Sequence, residues 1–428
     1  MKSIIVNPAS GLRGELTVPG DKSISHRGIM FGAIAQGTTR LSGFLDSADC
    51  RSTINCFRSL GIDIDTGGGE VLVHGRGLHG LNAPASVLDV GNSGTTARLI
   101  SGILCAGDFT CTLTGDSSIQ KRPMKRIIDP LLAMGADISS VNNNGCVPLS
   151  ITGRKLSGIT WESPVASAQV KSCILLAGLY ATGDTTVTEP AISRDHTERM
   201  LGAYGAALTR SGNSVTISPA AELHALDINI PGDISSAAYF IAAALICPGS
   251  ELTIRNVNIN PTRAGILKVI EQMGANFSLD NVHTDSGEEC CDITIRSSSL
   301  HGTVIEGDII PTLIDELPII AVLGAFADGT TIIRDAAELK VKESDRIALI
   351  SDNLSALGCD ITPTEDGMII NGGRPLTGCS IRTASDHRIA MSFAVAALNA
   401  TGSTTIDDMA CVSISFPDFF DQLFSLSN

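Results

Sequence analysis

The sequence Pro19-Gly20-Asp21-Lys22-Ser23-Ile24-Ser25-His26-Arg27 decides how the rest of the chain is interpreted. It follows a short alternating apolar run and precedes an apolar segment at 28–35, a pattern typical of the turn between a strand and a helix. Free N–H groups and the positive end of the helix dipole favour anions at such a helix start. Lys22, Ser23 and Arg27 add two positive charges and a hydroxyl, so the stretch predicts an anion-binding helix start.

The stretch differs from a nucleotide-binding Walker loop. Asp21 separates the glycine from the lysine, and Gly14 lies one residue too early for the G-x-x-x-x-G-K-S spacing. A second copy, Pro231-Gly232-Asp233-Ile234-Ser235, has isoleucine where the first copy has Lys22. We therefore interpret Pro-Gly-Asp as a structural motif that both copies share, and Lys22 as a functional residue that only the first copy has.

Composition limits the classes of protein to consider. With 428 residues, 43% of them hydrophobic, the chain can bury two sizeable cores, and two domains are expected. The net charge of −15 argues against nucleic acid or an anionic membrane as a partner. The twelve cysteines show no C-x-x-C spacing, which favours reduced thiols over a disulfide framework or a zinc site. Neither a signal peptide nor a membrane span is predicted, since the longest apolar run, 237–246, is short; we expect a cytoplasmic protein.

An apolar helix that ends in glycine, followed by a threonine-rich strand, recurs six times along the chain. Glycine in this position predicts a left-handed helix cap, and β-branched residues start the strand. The six glycines are Gly37, Gly107, Gly183, Gly249, Gly329 and Gly402.

Amphipathic helices alternate with the apolar ones, and five of them end at Gly61, Gly135, Gly205, Gly274 and Gly358. The sixth is expected at 416–426, near the C-terminus. We predict an α/β (α+β) fold of six βαβαββ modules in two domains of three. The repeated Pro-Gly-Asp places the domains at 21–233 and at 1–20 with 234–428. An open solenoid that acts as a clamp or scaffold is the non-enzyme alternative, and it predicts that all helix starts look alike.

The helix starts differ from one another in their polar residues, and each has a simple structural interpretation. Ser163, Asn92 and Asp315 could be N-caps. The basic segment 121–126 could be a solvated face, and 340–346 could hold surface ion pairs. His26 and His387 could be satisfied structural histidines, as could the other six. However, several cationic groups at the helix starts of an acidic protein indicate an anionic ligand with at least two charged groups.

Seven motifs, in this order, make the chain similar to the 5-enolpyruvylshikimate-3-phosphate synthase family over essentially its full length. They are P-G-D-K-S-x-S-H-R at 19–27, G-N-S-G-T at 91–95, K-R-P-M at 121–124, S-A-Q-x-K at 167–171, R-D-H-T-E at 194–198, K-E-S-D-R at 342–346 and D-H-R at 386–388. The resemblance implies the enolpyruvyl-transferase fold with a cleft between two domains. It also implies transfer of the enolpyruvyl group of phosphoenolpyruvate to 3-phosphoshikimate, in a family that the inhibitor glyphosate targets.

The same resemblance implies which residues bind each substrate. The residues implied for 3-phosphoshikimate are Lys22, Ser23, Arg27, Ser167, Ala168, Gln169, Ser193, Asp315 and Lys342. Those implied for phosphoenolpyruvate are Lys22, Asn92, Gly94, Arg122, Gln169, Arg346 and Arg388. Asp315, Glu343 and Lys22 are the implied catalytic residues, with Asp315 accepting a proton from the substrate hydroxyl and Glu343 exchanging one at the enolpyruvyl methylene. The chemistry requires no metal or organic cofactor, and we expect a monomer.

One position departs from the family pattern. Many members have lysine two residues before the C-terminal Phe-Pro, where this chain has Ile414 before Ser415-Phe416-Pro417. The competing prediction is an enolpyruvyl transferase acting on UDP-N-acetylglucosamine. That family usually has a cysteine in the loop before Arg-Pro, and the loop here, 116–120, has none. The sugar-nucleotide substrate is therefore disfavoured.

Overall fold

The computed structural model describes residues 2–427 and shows a mixed α/β fold. Within that range the strands are β1 (Ile4–Val6), β2 (Arg13–Thr17), β3 (Gln36–Ser42), β4 (Asp63–Gly67), β5 (Glu70–Arg76), β6 (Leu88–Asp89), β7 (Thr110–Thr114), β8 (Asp137–Ser140), β9 (Leu149–Thr152), β10 (Thr160–Glu162), β11 (Thr185–Thr188), β12 (Leu208–Ser211), β13 (Ser214–Ile217), β14 (Asp227–Asn229), β15 (Glu251–Asn258), β16 (Asn276–Asp285), β17 (Glu288–Arg296), β18 (Val304–Ile305), β19 (Thr330–Ile333), β20 (Asp360–Pro363), β21 (Met368–Asn371), β22 (Ser380–Ile381) and β23 (Thr404–Ile406).

The α-helices of the same range alternate with these strands. They are α1 (Lys22–Ile34), α2 (Ala48–Ser59), α3 (Gly94–Leu104), α4 (Lys125–Ala133), α5 (Ala168–Gly178), α6 (His196–Ala203), α7 (Ile234–Ile246), α8 (Gly265–Gln272), α9 (Ile310–Leu313), α10 (Leu317–Phe326), α11 (Arg346–Ala356), α12 (His387–Ala397) and α13 (Phe419–Leu426).

The strands of the described residues form five four-stranded sheets and one three-stranded sheet. The module β6-α3-β7-α4-β8-β9 shows the pattern: β6 lies parallel to β7, and the hairpin strand β9 lies antiparallel to both β7 and β8. The modules built on β10–β13 and β18–β21 have the same order. The predicted βαβαββ repeat is therefore confirmed. In the last module β1, from the start of the chain, pairs antiparallel with β23.

Contacts divide the chain into two units. Unit 1 comprises residues 1–19, 231–283 and 289–428, and unit 2 comprises 20–230 and 284–288. In unit 1, β2 precedes the first chain crossing and pairs in parallel with β15, which follows the second crossing. In unit 2, β14 lies at the end of the segment 20–230 and pairs in parallel with β3. The predicted domain boundaries and the cleft between domains stay predictions.

Six of the described helices are apolar around most of their circumference because they lie inside the units. They are α1, α3, α5, α7, α10 and α12. Every residue of α7 is buried, and α10 and α12 pack with it in unit 1. In unit 2, α3 packs closely on α5: a Cβ at Gly102 would lie 2.2 Å from the carbonyl oxygen of Cys173. A helix that is apolar on all sides is stable only with such cover. The amphipathic helices lie outside them, which explains the two alternating kinds of helix.

Five of the six predicted helix-ending glycines have a positive φ, and Gly107 does not. After α3 the N–H groups of Ala106 and Gly107 donate to the carbonyls of Ile103 and Leu104, three residues back in each case. The backbone thus leaves the helix through tight right-handed turns, and the prediction of a left-handed cap at Gly107 is wrong.

None of the described helices is by itself both long and apolar enough to cross a membrane. One sharply bent pair, Gly307–Leu313 with Leu317–Phe326, meets the length and composition criteria together. Leu317–Phe326 is α10, and nine of its ten residues are buried in unit 1.

Candidate functional site

The first predicted helix start is present as the sequence indicates. Asp21 is the N-cap of α1, and its Oδ1 accepts a hydrogen bond from the Ile24 N–H at 2.9 Å. Lys22, the first residue of the helix, forms an ion pair with Asp49 of α2. The two side chains are only 21% and 11% exposed. An anion at this helix start would therefore meet a cation that Asp49 already holds in place.

Arg27 is buried and hydrogen-bonded at all three guanidinium nitrogens. Its Nε donates to Thr197 Oγ1 at 2.7 Å, its Nη2 to Ser172 Oγ at 2.9 Å and its Nη1 to the Ser23 carbonyl at 3.0 Å. Burial lowers the pKa of Arg27 to about 10, which leaves the side chain cationic at neutral pH. These bonds fix α1 against α5 and α6 and hold Arg27 beside Ser23.

A chain of buried hydrogen bonds connects the starts of α1 and α3. His26 Nδ1 lies 2.7 Å from Thr53 Oγ1, which lies 2.7 Å from Thr96 Oγ1, and Thr96 Oγ1 donates to the N-cap Ser93 at 2.7 Å. Burial is the main reason that the pKa of His26 falls to about 3, so the ring is neutral. The structural interpretation of His26 fits this geometry, because the ring sets the relative position of two functional helix starts.

The start of α3 collects an arginine and an amide. Arg122 Nη2 donates to Asn92 Oδ1 at 2.7 Å, which aligns the guanidinium with the N-terminal end of the helix. A Cβ added to Gly94 would lie 3.4 Å from Arg122 Nη1 and 2.9 Å from Arg98 Nη1. Gly94 does not have a positive φ. Its lack of a side chain therefore leaves room in front of two guanidinium groups.

Arg98 is a functional candidate that was not identified from the sequence. Its Nη1 donates to Gln169 Oε1 at 2.5 Å, and Gln169 Nε2 donates to Thr95 Oγ1 at 3.0 Å. Gln169 is the second residue of α5, so these bonds join the start of α5 to the first turn of α3. Arg98 thus adds a second guanidinium next to Gly94.

Ser167 and Ser193 share one buried carboxylate. Glu189 Oε1 accepts from the Ser167 N–H at 2.8 Å, and both Glu189 oxygens accept from Ser193 Oγ, at 2.8 and 2.7 Å. Lys171, which ends the S-A-Q-x-K motif, lies 2.9 Å from Glu189 and 2.8 Å from Glu198. Lys171 is 2% exposed, so it neutralises this cluster inside the protein. Ala168, the first residue of α5, directly follows Ser167.

Unit 1 contains a carboxylate surrounded by cations. Asp315 Oδ1 lies 3.7 Å from both Lys342 Nζ and Arg346 Nη1, and Asp315 Oδ2 lies 3.9 Å from Arg388 Nη2. The Asp315 side chain is 17% exposed and precedes α10. A proton acceptor next to three cations suits a reaction that moves a proton and stabilises negative charge in one place.

Arg346 is the most deeply buried of these cations. Its Nε donates to Asp386 Oδ2 at 2.8 Å and its Nη2 to Glu343 Oε2 at 2.5 Å. Burial by itself lowers the pKa of Arg346, but Asp386 and Glu343 outweigh it and raise the pKa above its usual value. For Asp386 burial raises the pKa, and Arg346 outweighs it, so the pKa is lowered. Glu343 is 26% exposed, which leaves it able to reach a ligand while Arg346 orients it.

Several structural interpretations of these positions are wrong, since none of the three suggested N-caps is one. The N-cap positions of these helices are occupied by Ser167, Ser93 and Glu316, and of these only Ser93 accepts a capping hydrogen bond, from the Thr96 N–H. The basic segment 121–126 divides between two environments: Arg122 faces Asn92, while Lys125 forms an exposed ion pair with Asp129. Lys342 and Arg346 do form helix-spaced ion pairs, with Glu338 and Glu343, and they also contact Asp315.

The structure brings the predicted residues into two groups, one in each unit. The group in unit 2 comprises Lys22, Ser23, Arg27, Asn92, Gly94, Arg122, Ser167, Ala168, Gln169 and Ser193, and that in unit 1 comprises Asp315, Lys342, Glu343, Arg346 and Arg388. The partners that orient these residues were not predicted from the sequence; they are Asp49, Arg98, Glu189, Arg263 and Glu316. Among them, Arg98 and Glu316 carried a local signal, since Arg98 lies three residues after the G-N-S-G-T motif and Glu316 directly follows Asp315.

Metal ligands and thiols complete the description of the ionisable groups. Across residues 2–427, no group of three or more His, Cys, Asp or Glu side chains is arranged to hold a metal ion. All twelve cysteines are free thiols. Burial raises the pKa of several of them, for example to about 12 for Cys50 and Cys173, which keeps these thiols protonated.

The comparisons with known proteins agree over the whole chain. The family described as EPSP synthase (3-phosphoshikimate 1-carboxyvinyltransferase) matches residues 6–423. The chain is 53% identical to the 3-phosphoshikimate 1-carboxyvinyltransferase of Bacillus thuringiensis (strain Al Hakam), over all of both chains. It is also 53% identical to that of Desulforudis audaxviator (strain MP104C), over 98% of each. A solved EPSP synthase from Acinetobacter baumannii has a TM-score of 0.90 and 47% identity, and the match covers 99% of this chain and 98% of that one.

Proposed function

Because the chain belongs to the EPSP synthase (3-phosphoshikimate 1-carboxyvinyltransferase) family, we propose that it transfers the enolpyruvyl group of phosphoenolpyruvate to the 5-hydroxyl of 3-phosphoshikimate. Phosphate is the second product. The chain is thus a transferase of the shikimate pathway, which leads to chorismate and the aromatic amino acids. We propose that it acts as a monomer in the cytoplasm.

The observation that carries the proposal is the position of Asp315 among Lys342, Arg346 and Arg388. Asp315 takes the proton of the 5-hydroxyl while the hydroxyl oxygen bonds to C2 of phosphoenolpyruvate. Glu343 delivers a proton to C3, which becomes a methyl group. Glu343, now a carboxylate, takes a proton back from the methyl group, the C2–O bond to phosphate breaks as phosphate departs, and the C2–C3 double bond reforms. The cations stabilise the anionic intermediate between the two steps.

The contacts of unit 2 support its assigned binding residues. Lys22 and Arg122 present cations at the starts of helices, and Gly94 leaves room for a small anion in front of Arg122. We assign Lys22, Asn92, Gly94, Arg122 and Gln169 to phosphoenolpyruvate. Lys22, Ser23, Arg27, Ser167, Ala168, Gln169 and Ser193 are assigned to 3-phosphoshikimate.

In unit 1 the assignment follows the charges. Arg346 and Arg388 are permanently cationic and bind the charged groups of phosphoenolpyruvate. Lys342 and Asp315 contact 3-phosphoshikimate, and Asp315 and Glu343 carry the proton transfers. Lys22 of unit 2 is the third residue that we assign to catalysis. We also propose that residues 21–233, and residues 1–20 with 234–428, are the two domains. Two of the crossings between the contact units lie within three residues of these boundaries, while the short segment 284–288 belongs to unit 2 and not to unit 1.

A phosphate-release assay with two acceptors tests the proposal. The purified chain is given phosphoenolpyruvate with either 3-phosphoshikimate or UDP-N-acetylglucosamine. Release of phosphate with 3-phosphoshikimate alone is the expected result. Release with the sugar nucleotide, or with neither acceptor, would contradict the proposed substrate.

A further inference from the structure

The second Pro-Gly-Asp copy is the start of a buried charge network in unit 1. Asp233 caps α7 by accepting from the Ser235 N–H at 2.8 Å. Ser235 Oγ is hydrogen-bonded to both Arg263 and Glu316, and Arg263 Nη2 lies 3.3 Å from Asp233 Oδ1. The copy that lacks a lysine therefore has an arginine from another segment at its helix start.

Arg263 and Glu316 form a tight ion pair in this network. Arg263 Nη1 lies 2.9 Å from each carboxylate oxygen of Glu316. The Arg263 side chain is 3% exposed and that of Glu316 is 0% exposed, so water screens the pair very little. Glu316 lies at the N-cap of α10 and directly follows the proposed base, Asp315.

Glu316 also lies near the proposed phosphoenolpyruvate-binding Arg388. Glu316 Oε1 is 3.8 Å from Arg388 Nη1, the same nitrogen that donates to the Asp315 carbonyl at 3.1 Å. For Arg388, burial lowers the pKa, but Asp315 and then Glu316 are among the groups that raise it above its usual value. The buried Glu316 carboxylate thus lies next to two arginines, Arg263 and Arg388, and only Arg388 is proposed to bind a ligand.

We propose that Arg263 is a positioning residue for substrate binding, because it neutralises Glu316 and so leaves the charge of Arg388 available to phosphoenolpyruvate. Without Arg263 the nearest cation for the Glu316 carboxylate is Arg388, and the carboxylate then competes with the anionic ligand. Arg263 itself does not contact substrate. The inference rests on the proposed assignment of Arg388.

The two partners of the pair predict opposite effects, which separates this role from a purely structural one. Arg263→Met should raise the KM for phosphoenolpyruvate about 10-fold, the size expected of one partly screened charge interaction near 4 Å. The KM for 3-phosphoshikimate should change less than about 2-fold. Glu316→Gln breaks the same pair but removes the competing carboxylate, so the KM for phosphoenolpyruvate should stay constant or fall. An equal rise in both variants, or no rise in Arg263→Met, would overturn the proposal.

A double variant and a direct variant complete the test. In the double variant Arg263→Met/Glu316→Gln neither charge remains, so the KM for phosphoenolpyruvate should lie within about 2-fold of the parent value. A 10-fold higher KM in the double variant would contradict the proposal. If Arg263→Met does not fold, Arg263→Lys replaces it, with a smaller rise expected and no rise as the contrary result. Arg388→Lys should raise the same KM. If it does not, the assignment of Arg388 fails; if it does while Arg263→Met has no effect, only this inference fails.

Discussion

The Nζ atom of Lys171 lies 2.9 Å from Oε2 of Glu189, and both side chains are 2% exposed. The other residues of the Lys171 motif are proposed to bind substrate, whereas Lys171 forms buried ion pairs within the protein. Glu189 in turn holds the Ser167 amide and the Ser193 hydroxyl. A buried ion pair that fixes two proposed binding residues should therefore matter for stability and for the geometry of the site.

Glu189→Ala should reduce the free energy of unfolding by about 3 kcal/mol, because it leaves Lys171 buried with a single remaining carboxylate, Glu198. Denaturant titration measures this. Lys125→Met is the control, since it removes a lysine whose ion pair with Asp129 is exposed, and should cost less than about 1 kcal/mol. Equal losses in the two variants would contradict a stabilising role for the buried pair.

Local patterns in the sequence were sufficient to predict those helix starts at which an aspartate caps the helix. A capping aspartate precedes α1, α7, α11 and α12, and accepts a hydrogen bond from the first turn in each. Capping depends on residues within three positions, so it can be read from a short stretch. The same holds for the module order, which follows from alternating helix types that end in glycine.

The partners of the functional residues could not be predicted, because they come from distant parts of the chain. Arg263 and Glu316 are separated by 53 positions, and Arg98 and Gln169 by 71. No periodicity or motif connects such pairs; only the packing of whole helices brings them together. The cap positions were also misjudged at Asp315, since Glu316 follows it and an acidic residue at either position fits a helix start.

Asp315→Asn should keep the fold and the affinity for 3-phosphoshikimate but lower kcat at least about 100-fold, because an amide can hydrogen-bond yet cannot accept the proton. Steady-state kinetics and a binding titration measure the two quantities. Asp308→Asn, which changes an exposed carboxylate of the same unit, is the control with unchanged kcat. Near-parental turnover of Asp315→Asn would remove Asp315 from the mechanism.

Gly94→Ala should raise the inhibition constant of glyphosate by a larger factor than the KM for phosphoenolpyruvate. The added methyl group would meet Arg98 Nη1 at 2.9 Å and Arg122 Nη1 at 3.4 Å, and both are ends of flexible side chains. Overpacking costs about 1–3 kcal/mol where neighbours cannot move, and the longer inhibitor leaves them less room. Because Gly94 does not have a positive φ, the melting temperature should change little. Equal factors for both ligands with a large drop in melting temperature would contradict this.

His26→Gln should make stability less dependent on pH between 6.5 and 5. The unfolded histidine binds a proton near pH 6.5, whereas burial keeps the folded ring neutral until about pH 3. The stability that neutral His26 contributes is thus present above pH 6.5 and is lost as the pH falls. The parent should lose about 1.5 kcal/mol more than the variant across this window. His196, whose pKa is raised, titrates in both proteins and cancels in the comparison. Parallel stability curves would show that His26 is not held neutral.

The most direct test of the proposed chemistry is to run the reaction in D₂O and analyse the product by NMR. If Glu343 protonates C3 of phosphoenolpyruvate and the resulting methyl group then loses a proton, the enolpyruvyl methylene of the product must contain deuterium. Glu343→Gln should slow turnover by at least about 100-fold. Product of the parent enzyme that is formed at its normal rate but carries no deuterium at the methylene would contradict addition followed by elimination. It would also contradict the roles of Asp315 and Glu343.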